Sequence, residues 1–324
     1  MPEQGGGSGM VLALAGDTML GRGVAERLGQ DADLFSDDVY ALARRADYFI
    51  LNLECCISSR GRRWSDPHKP FFFRAPPNAV DVLARLGVDC VTLANNHALD
   101  FGIDALVDTL EYLKDAGIAV VGAGADLDAA RTPATVSVTG ASVGVVAMTD
   151  HPEEFAATED RPGVAYADLR EGMPDWVLDS VARAQFDVVI VTPHWGPNMV
   201  AEPVRHVRRA ADILRRSGAT LVAGHSAHVV HGAHDRVLFD LGDFVDDYAV
   251  DRLMRNDLGM FFLVTIEAGR PTLLEAVPLK LEYCFTRLAD GVDAEQISDR
   301  FLNSSLALGS DAWESEGRIF VRLV

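Results

Sequence analysis

Short apolar runs recur along the chain, and each ends at polar or charged side chains. Five such runs are Met10–Ala15, Asp47–Leu51, Val88–Leu93, Val188–Thr192 and Ala219–Ala223. Apolar runs of this length bounded by polar residues predict buried strands. Segments with helical spacing lie between them, at Val80–Leu86, Ala105–Ala116, Trp176–Ala184 and Val204–Ser217. This alternation of strand and helix predicts an α/β protein with a largely parallel sheet.

The second half of the chain carries strand patterns with little helix between them. The predicted strands are Ala134–Val138, Val143–Met148, Val237–Leu241, Gly259–Ile266 and Thr272–Leu281, followed by a helix over about Ala294–Leu306 and a last strand at Arg318–Val324. These strands predict a second, mixed sheet packed on the first. Because no linker-like composition interrupts the pattern, we predict one domain over residues 10–324. A Gly-rich flexible arm over residues 1–9 precedes it, and a helix–strand extension begins at about residue 285.

Ligand-type side chains follow the predicted strands. They are Asp17, Glu54, Asn96, His97, His194, His225 and His228. The carboxyl ends of parallel strands meet at one edge, where ligands bind. Imidazoles suit Zn, Mn or Fe, and carboxylate and amide oxygens suit Mn or Ca. We therefore predict that all members of this set except His97 bind a divalent metal ion. We predict no organic cofactor.

The net charge and the cysteine content limit the classes of partner and the cellular location that we expect. The chain has 48 Asp and Glu against 29 Lys and Arg, a net charge of −19. This field repels nucleic acid, and it disfavours a polyglutamate chain unless a local basic pocket overrides it. The four cysteines form no disulfide pattern, and no signal or membrane-spanning run is present in this sequence. We expect free thiols, a cytoplasmic location and no membrane partner.

Several motifs resemble those of the CapA-like proteins of poly-γ-glutamate capsule synthesis, within the calcineurin-like metallophosphoesterase superfamily. In chain order they are Gly-Asp-Thr-Met-Leu-Gly-Arg (16–22), Asn-Leu-Glu (52–54), Lys-Pro-Phe-Phe-Phe-Arg-Ala-Pro (69–76), Leu-Ala-Asn-Asn-His-Ala-Leu-Asp-Phe-Gly (93–102), His-Trp-Gly (194–196), Gly-His-Ser-Ala-His-Val-Val (224–230) and Leu-Gly-Asp-Phe (241–244). The resemblance runs from about Leu12 to about Phe262 and is most specific in the Asn-Asn-His-Ala-Leu-Asp block.

The resemblance implies a four-layer α/β/β/α sandwich with two packed mixed sheets and a metal site at their strand ends. It places the six predicted metal ligands on ligand positions and His97 on the position of a catalytic histidine. Met19 stands where related phosphoesterases carry a ligand histidine, and Asn198 stands where an acidic residue is common. These departures weaken the expectation of a metal-dependent hydrolase.

Two carboxylates lie in places where each can pair with a histidine. Asp100 follows His97 by three residues, and Asp243 lies at a strand end that should face the same edge, where His225 or His228 can serve as the second histidine. A carboxylate beside an imidazole fixes its tautomer and raises its basicity. The predicted catalytic groups are therefore His97, Asp100, Asp243 and, of the two candidates for the second histidine, His228. The alternatives are a helix N-cap for Asp100 and a turn residue for Asp243.

Four further side chains are candidates for substrate binding: Arg22, Lys69, Arg74 and Trp195. The three cations suit carboxylate or phosphate groups, and the indole suits stacking. A solvated loop is the alternative for the cations, and core packing is the alternative for the indole.

Three functions fit these features. The preferred hypothesis is an epimerase that inverts a Cα centre at the C-terminus of a lasso-type precursor peptide, with the peptide as its partner, because the two predicted His–Asp pairs suit proton removal and return. A metal-dependent phosphoesterase is the alternative. A capsule-synthesis subunit ranks last, because such subunits are membrane-anchored and this sequence carries no anchor.

Overall fold

The computed structural model describes residues 9–30, 32–182 and 186–323. The strands of the first half are β1 (Met10–Thr18), β2 (Tyr48–Leu53), β3 (Cys56–Ile57), β4 (Arg74–Ala75), β5 (Cys90–Thr92), β6 (Ala119–Val121), β7 (Ala123–Gly124), β8 (Ala134–Val138), β9 (Ala141–Thr149) and β10 (Gly163–Val164). Those of the second half are β11 (Val188–His194), β12 (Leu221–Ala223), β13 (Ala233–His234), β14 (Val237–Leu238), β15 (Asp243–Val245), β16 (Leu258–Glu267), β17 (Arg270–Glu282), β18 (Phe285–Leu288), β19 (Ala312–Ser315) and β20 (Arg318–Arg322).

The α-helices connect these strands. They are α1 (Arg22–Leu28), α2 (Asp37–Ala43), α3 (Ala79–Leu86), α4 (Ile103–Asp115), α5 (Leu127–Arg131), α6 (Asp175–Ala182), α7 (Arg205–Arg216) and α8 (Gly291–Ala307). Residues 1–8 of the predicted arm, the predicted helix end at Ala184 and the final residue of the predicted last strand lie outside the described residues.

Two mixed sheets form the frame. The larger has the order β19-β20-β17-β16-β1-β2-β5-β6, with β15 beside β1 and β18 beside β17; the smaller has the order β13-β14-β12-β11-β9-β8. Strands β1, β2, β5 and β6 run parallel, as do β9, β11, β12 and β14. The carboxyl ends of the parallel strands therefore meet at one edge of each sheet.

The alternation of side chains along β1 separates two layers of core. Met10, Leu12 and Leu14 point into the core between the sheets, whereas Ala13 and Ala15 join the core under the helices of the larger sheet. A third cluster packs α6 and α7 on the smaller sheet. Helix packing outside both sheets gives the expected four-layer α/β/β/α sandwich.

The sequence pattern assigned some strands to the wrong sheet. We expected β11 and β12 to join the first parallel sheet and the later strands to form the second. Instead β11 and β12 lie in the smaller sheet, and β16 and β17 extend the larger sheet because β16 pairs antiparallel with β1. Local alternation predicts a strand but carries no information about its partner.

The C-terminal helix has a place that the pattern did not predict. Ile297 and Phe301 of α8 insert into the core between the sheets, where Phe301 contacts Phe262. The helix thus closes one end of the sandwich. The four cysteines are buried and unpaired, as predicted.

Gly16 allows two backbone segments to approach each other closely beside Asp17. The backbone N–H of Asp17 donates to the carbonyl of Gly242 at 2.8 Å, and a Cβ on Gly16 would overlap that carbonyl oxygen. The absence of a side chain at Gly16 lets the end of β1 lie against the segment that leads into β15.

We predict that Gly16→Ala lowers the free energy of unfolding by about 3 kcal/mol, because neither backbone can yield without breaking the β1 register. Chemical denaturation measures this loss. Gly29→Ala is the matched control, because its Cβ would meet only ordinary contacts and should change stability by less than about 1 kcal/mol. Equal effects of the two substitutions would contradict the argument from close approach.

Candidate metal centre

The strand ends bring the predicted ligands together. Asp17 is the penultimate residue of β1, Glu54 directly follows β2, and His194 ends β11. His225 lies two residues beyond β12 and forms a parallel bridge with His194. All four side chains are buried, so the convergence of parallel strands, rather than any local motif, assembles the site.

One group of candidate ligands consists of Asp17, His194 and His225, with ligand atoms within 4.8 Å of one another. The Nδ1 atoms of the two histidines lie 3.0 Å apart, and both Nε2 atoms are buried without a hydrogen-bond partner. Burial lowers the pKa of His225 to about 4 and that of His194 well below its usual value. Both imidazoles are therefore neutral at pH 7, the form that ligates a metal.

A second group consists of Asp17, Glu54 and His228, so Asp17 belongs to both. Both oxygens of Glu54 and the Oδ1 of Asn96 are buried without a hydrogen-bond partner. Burial and the charge of Asp17 raise the pKa of Glu54 well above its usual value. Burial alone would also raise the pKa of Asp17, but hydrogen bonding and charge from His228 outweigh it and lower that pKa.

The donor set fits a divalent cation. Buried polar atoms without partners are costly, and a bound cation would satisfy them and favour the charged form of both carboxylates. Asp17, His194 and His225 would hold one ion, and Asp17, Glu54 and His228, with Asn96 nearby, would hold another. Imidazole together with carboxylate leaves the identity of the metal open.

His97 and Asp100 form a close pair beside these groups. The Nδ1 of His97 lies 2.6 Å from the Oδ2 of Asp100, and its Nε2 lies 3.7 Å from the Oε1 of Glu54. Asp100 also accepts the backbone N–H of Phe73 at 2.6 Å and pairs with Lys69 at 3.0 Å. The N-cap of α4 is Gly102, without a side-chain bond, so Asp100 orients His97 and does not cap the helix.

Asp243 contacts His228 rather than His225, the two histidines between which the sequence left the choice open. The Nδ1 of His228 lies 2.8 Å from Asp243 and 3.3 Å from Asp17. Burial would lower the pKa of His228, but the charges of Asp243 and Glu54 outweigh it and raise that pKa well above its usual value. Asp246 lies nearby, and burial raises its pKa to about 6. Without a cation, His228 is the positive charge that offsets these carboxylates.

A cavity of about 490 Å³ opens beside the cluster. Its wall includes His97, His228, Asn96, Lys69, Asn198, Asp251, Phe71, Met199 and Tyr248. Lys69 donates to the carbonyl of Asn96 at 2.7 Å in addition to pairing with Asp100. The cavity gives a substrate direct access to both histidines.

Two of the predicted substrate-binding residues lie elsewhere. Trp195 is buried in the core under α7, and its indole donates to the carbonyl of Phe239 at 2.9 Å. Arg74 lies over the ring of Phe101 at 4.2 Å and donates to the carbonyl of Arg60. Neither lines the cavity, because each side chain is held by a structural partner.

Arg22 takes an intermediate place. Its guanidinium pairs with Asp247 at 3.2 Å and lies over Phe71 at 5.0 Å. Phe71 is in the cavity wall, so Arg22 contacts a residue of the wall but does not itself line the cavity.

Two asparagine side chains that were not among the predicted site residues link the metal ligands to the His97–Asp100 pair through hydrogen bonds. Asn52 donates to Asp17 at 2.7 Å, and Asn95 donates to Asn52 at 2.9 Å. The side-chain oxygen of Asn95 accepts the backbone N–H of His97 at 3.0 Å. Both asparagines stand inside motifs that the sequence displays, so their positions were the available signal. Tyr248, 5.4 Å from the ring of His228, had no such signal.

Two mixed sheets packed between helices, with carboxylates and imidazoles gathered at their strand ends, define an α/β/β/α sandwich with a candidate metal centre. The chain belongs to the family described as bacterial capsule synthesis protein PGA_cap, which matches residues 11–248. This membership confirms the CapA-like resemblance.

Three named proteins are similar to this chain over most of its length. A probable polyglutamine synthesis accessory protein of Mycobacterium tuberculosis is 34% identical over 288 residues, covering 81% of this chain and 73% of the relative. The PGA biosynthesis protein CapA of Bacillus subtilis is 28% identical over 276 residues, covering 83% of this chain and 71% of the relative. A solved putative 5′-nucleotidase of Staphylococcus aureus covers 90% of this chain and 57% of its own, with 14% identity and a TM-score of 0.48.

These relatives overturn the preferred functional hypothesis. Their names refer to polyglutamine, PGA and capsule synthesis, so the predicted peptide epimerase is wrong. The capsule class that ranked last is the one they support. Within the described ranges, no helix is both long and apolar enough to span a bilayer.

We predict that protein purified without chelators contains a divalent metal, and that Asp17→Ala loses it because Asp17 belongs to both ligand groups. Elemental analysis measures the content. Metal at about a hundred times its dissociation constant should stabilise the wild type by about 2.7 kcal/mol and the variant not at all. Asp33→Asn, at an exposed surface ion pair, should retain both metal and stabilisation. Metal bound equally by the Asp17 variant would contradict the assignment.

Proposed function

We propose that this chain is a metal-dependent hydrolase that acts in the synthesis of a polyglutamate-type capsule polymer and cleaves an amide bond of that polymer. Water adds across the C–N bond and yields a carboxylate and an amine. Membership of the capsule synthesis family supports the setting, and the names of the relatives support the polymer.

The observation that carries the proposal is the His97–Asp100 pair beside two candidate metal groups at the wall of one cavity. A bound divalent ion acts as a Lewis acid toward a carbonyl or phosphoryl oxygen. The work of His97 is proton transfer. Because its Nδ1 faces Asp100, its Nε2 is the nitrogen that takes up and returns a proton.

The protonation state of His97 suits a base. Burial lowers its pKa, against the opposing effect of Asp100, so the imidazole is neutral at pH 7 and can accept a proton. Asp100 is itself held by Lys69 and the backbone of Phe73. These two partners fix the carboxylate, and the carboxylate fixes the imidazole.

The charges of the cavity favour an amide over a phosphate ester. Lys69 and the protonated His228 are cations of the wall as the structure describes it. Both are already engaged, Lys69 by Asp100 and the carbonyl of Asn96, and His228 by Asp243 and Asp17. Asp251 adds a negative charge to the same wall. Phosphoryl transfer depends on cationic clamps around the phosphate, whereas an amide brings no charge that needs them.

We predict that His97→Gln lowers kcat for cleavage of oligo-γ-glutamate by about 10²- to 10⁴-fold, the range for loss of a general base, while metal content is unchanged. Release of new amino termini measures the reaction. His68→Gln, which removes an exposed loop imidazole, should keep wild-type kcat. Efficient turnover of simple phosphate esters without any amide cleavage would replace this proposal with a phosphoesterase.

A further inference from the structure

A second concave surface lies at the opposite edge of the sheets from the metal centre. It has a volume of about 720 Å³, and its wall carries Arg215, Arg236, Arg270 and Arg322; we call it the arginine groove. Thr220 in its wall precedes β12, and His225 of the metal centre follows that strand. Five residues of extended chain separate the two by roughly 16 Å.

The arginine groove is built from separated parts of the chain. Arg215 lies in the last turn of α7, Arg236 precedes β14, Arg270 begins β17 and Arg322 ends β20. The first two belong to the smaller sheet and its helix, and the last two belong to the larger sheet. The convergence of four arginines therefore results from the packing of both sheets and not from one basic segment.

The arginines exceed the carboxylates that pair with them. Arg215 and Arg236 share Asp235, at 2.9 and 3.5 Å, and Arg215 also lies 3.7 Å from Asp212. Arg322 pairs with Asp311 at 2.9 Å in an exposed contact, so the four arginines meet three carboxylates. Arg270 is exposed and forms no ion pair within the part of the chain that the structure describes. Exposed pairs of this kind are weak and exchange readily with other anions.

This surplus of positive charge stands out in a chain of net charge −19. Each guanidinium offers five N–H donors in a planar fork that matches a carboxylate. A chain with regularly spaced carboxylates could engage several of these forks at once. The groove thus provides the local basic surface without which the acidic field would repel such a chain.

We infer that the arginine groove binds the carboxylates of a polyglutamate chain and so holds the polymer on the protein apart from the metal centre. This inference rests on the proposed function for the identity of the polymer. Carboxylates of the ligand displace Asp311 from Arg322 and engage the free Arg270, while Asp235 continues to hold Arg215 and Arg236 in place.

Binding of a fluorescein-labelled oligo-γ-glutamate to the full chain, followed by anisotropy, tests the inference. The double variant Arg270→Gln with Arg322→Gln should bind roughly tenfold to a hundredfold more weakly, the loss expected for two charge-assisted contacts. The matched control, Arg85→Gln with Arg205→Gln, removes the same charge from exposed places outside the groove and should bind as the wild type. Wild-type affinity should fall with added salt.

Two further measurements, after metal removal and with a competing anion, distinguish binding at the arginine groove from binding at the metal centre. Unchanged affinity after metal removal by a chelator supports the groove, whereas loss of binding on chelation with no effect of the groove variants places the polymer at the metal centre and overturns the inference alone. Competition by tripolyphosphate without any binding of oligo-γ-glutamate also overturns it. Groove-dependent binding by a protein that cleaves no amide would support the groove and contradict the proposed hydrolase.

Discussion

The architecture depends on one electrostatic constraint, the burial of Asp17 and Glu54 beside each other in a site without full hydrogen bonding. Two carboxylates removed from water repel each other and lose hydration. In this structure His228 supplies the nearest positive charge and Asn52 supplies a hydrogen bond. Close-packed cores lie on both faces of each sheet, and they hold the strand ends that carry this arrangement.

The same constraint explains how the neighbouring groups are organised. Asn52 and Asn95 tie Asp17 to the backbone of His97, so the candidate ligands and the histidine pair are parts of one hydrogen-bonded network. Lys69 then joins the pair to the long loop that forms the cavity wall. Movement of that loop would disturb Asp100, and through Asp100 the orientation of His97.

Charge is divided between the two edges of the sandwich. The metal edge gathers carboxylates, the neutral imidazoles of His194 and His225, and two cations that are already engaged, His228 and Lys69. The opposite edge gathers arginines. For the acidic polymer that we propose as substrate and ligand, this division would separate the place that suits carboxylate binding from the place that suits chemistry on an amide. A single acidic cavity would serve both purposes poorly, because it would repel the side chains of the polymer whose backbone it must approach.

Many of the helices and strands, and the chemistry of the strand ends, could be predicted from the amino-acid sequence alone. Apolar runs that stop at Asp17, Glu54 and His194 are local features, and parallel strands necessarily present their carboxyl ends at one edge, so the candidate ligands could be named without coordinates. The pairing of His97 with Asp100 followed from a separation of three residues.

Features that depend on contacts between distant segments could be read only from the folded structure. The antiparallel pairing of β1 with β16 set the membership of the sheets, the packing of Trp195 and Arg74 against structural partners removed them from the cavity, and the meeting of both sheets assembled the arginine groove. Local periodicity records which face of an element is buried but not what covers it, because the energy of burial is nearly independent of the partner that supplies the apolar surface.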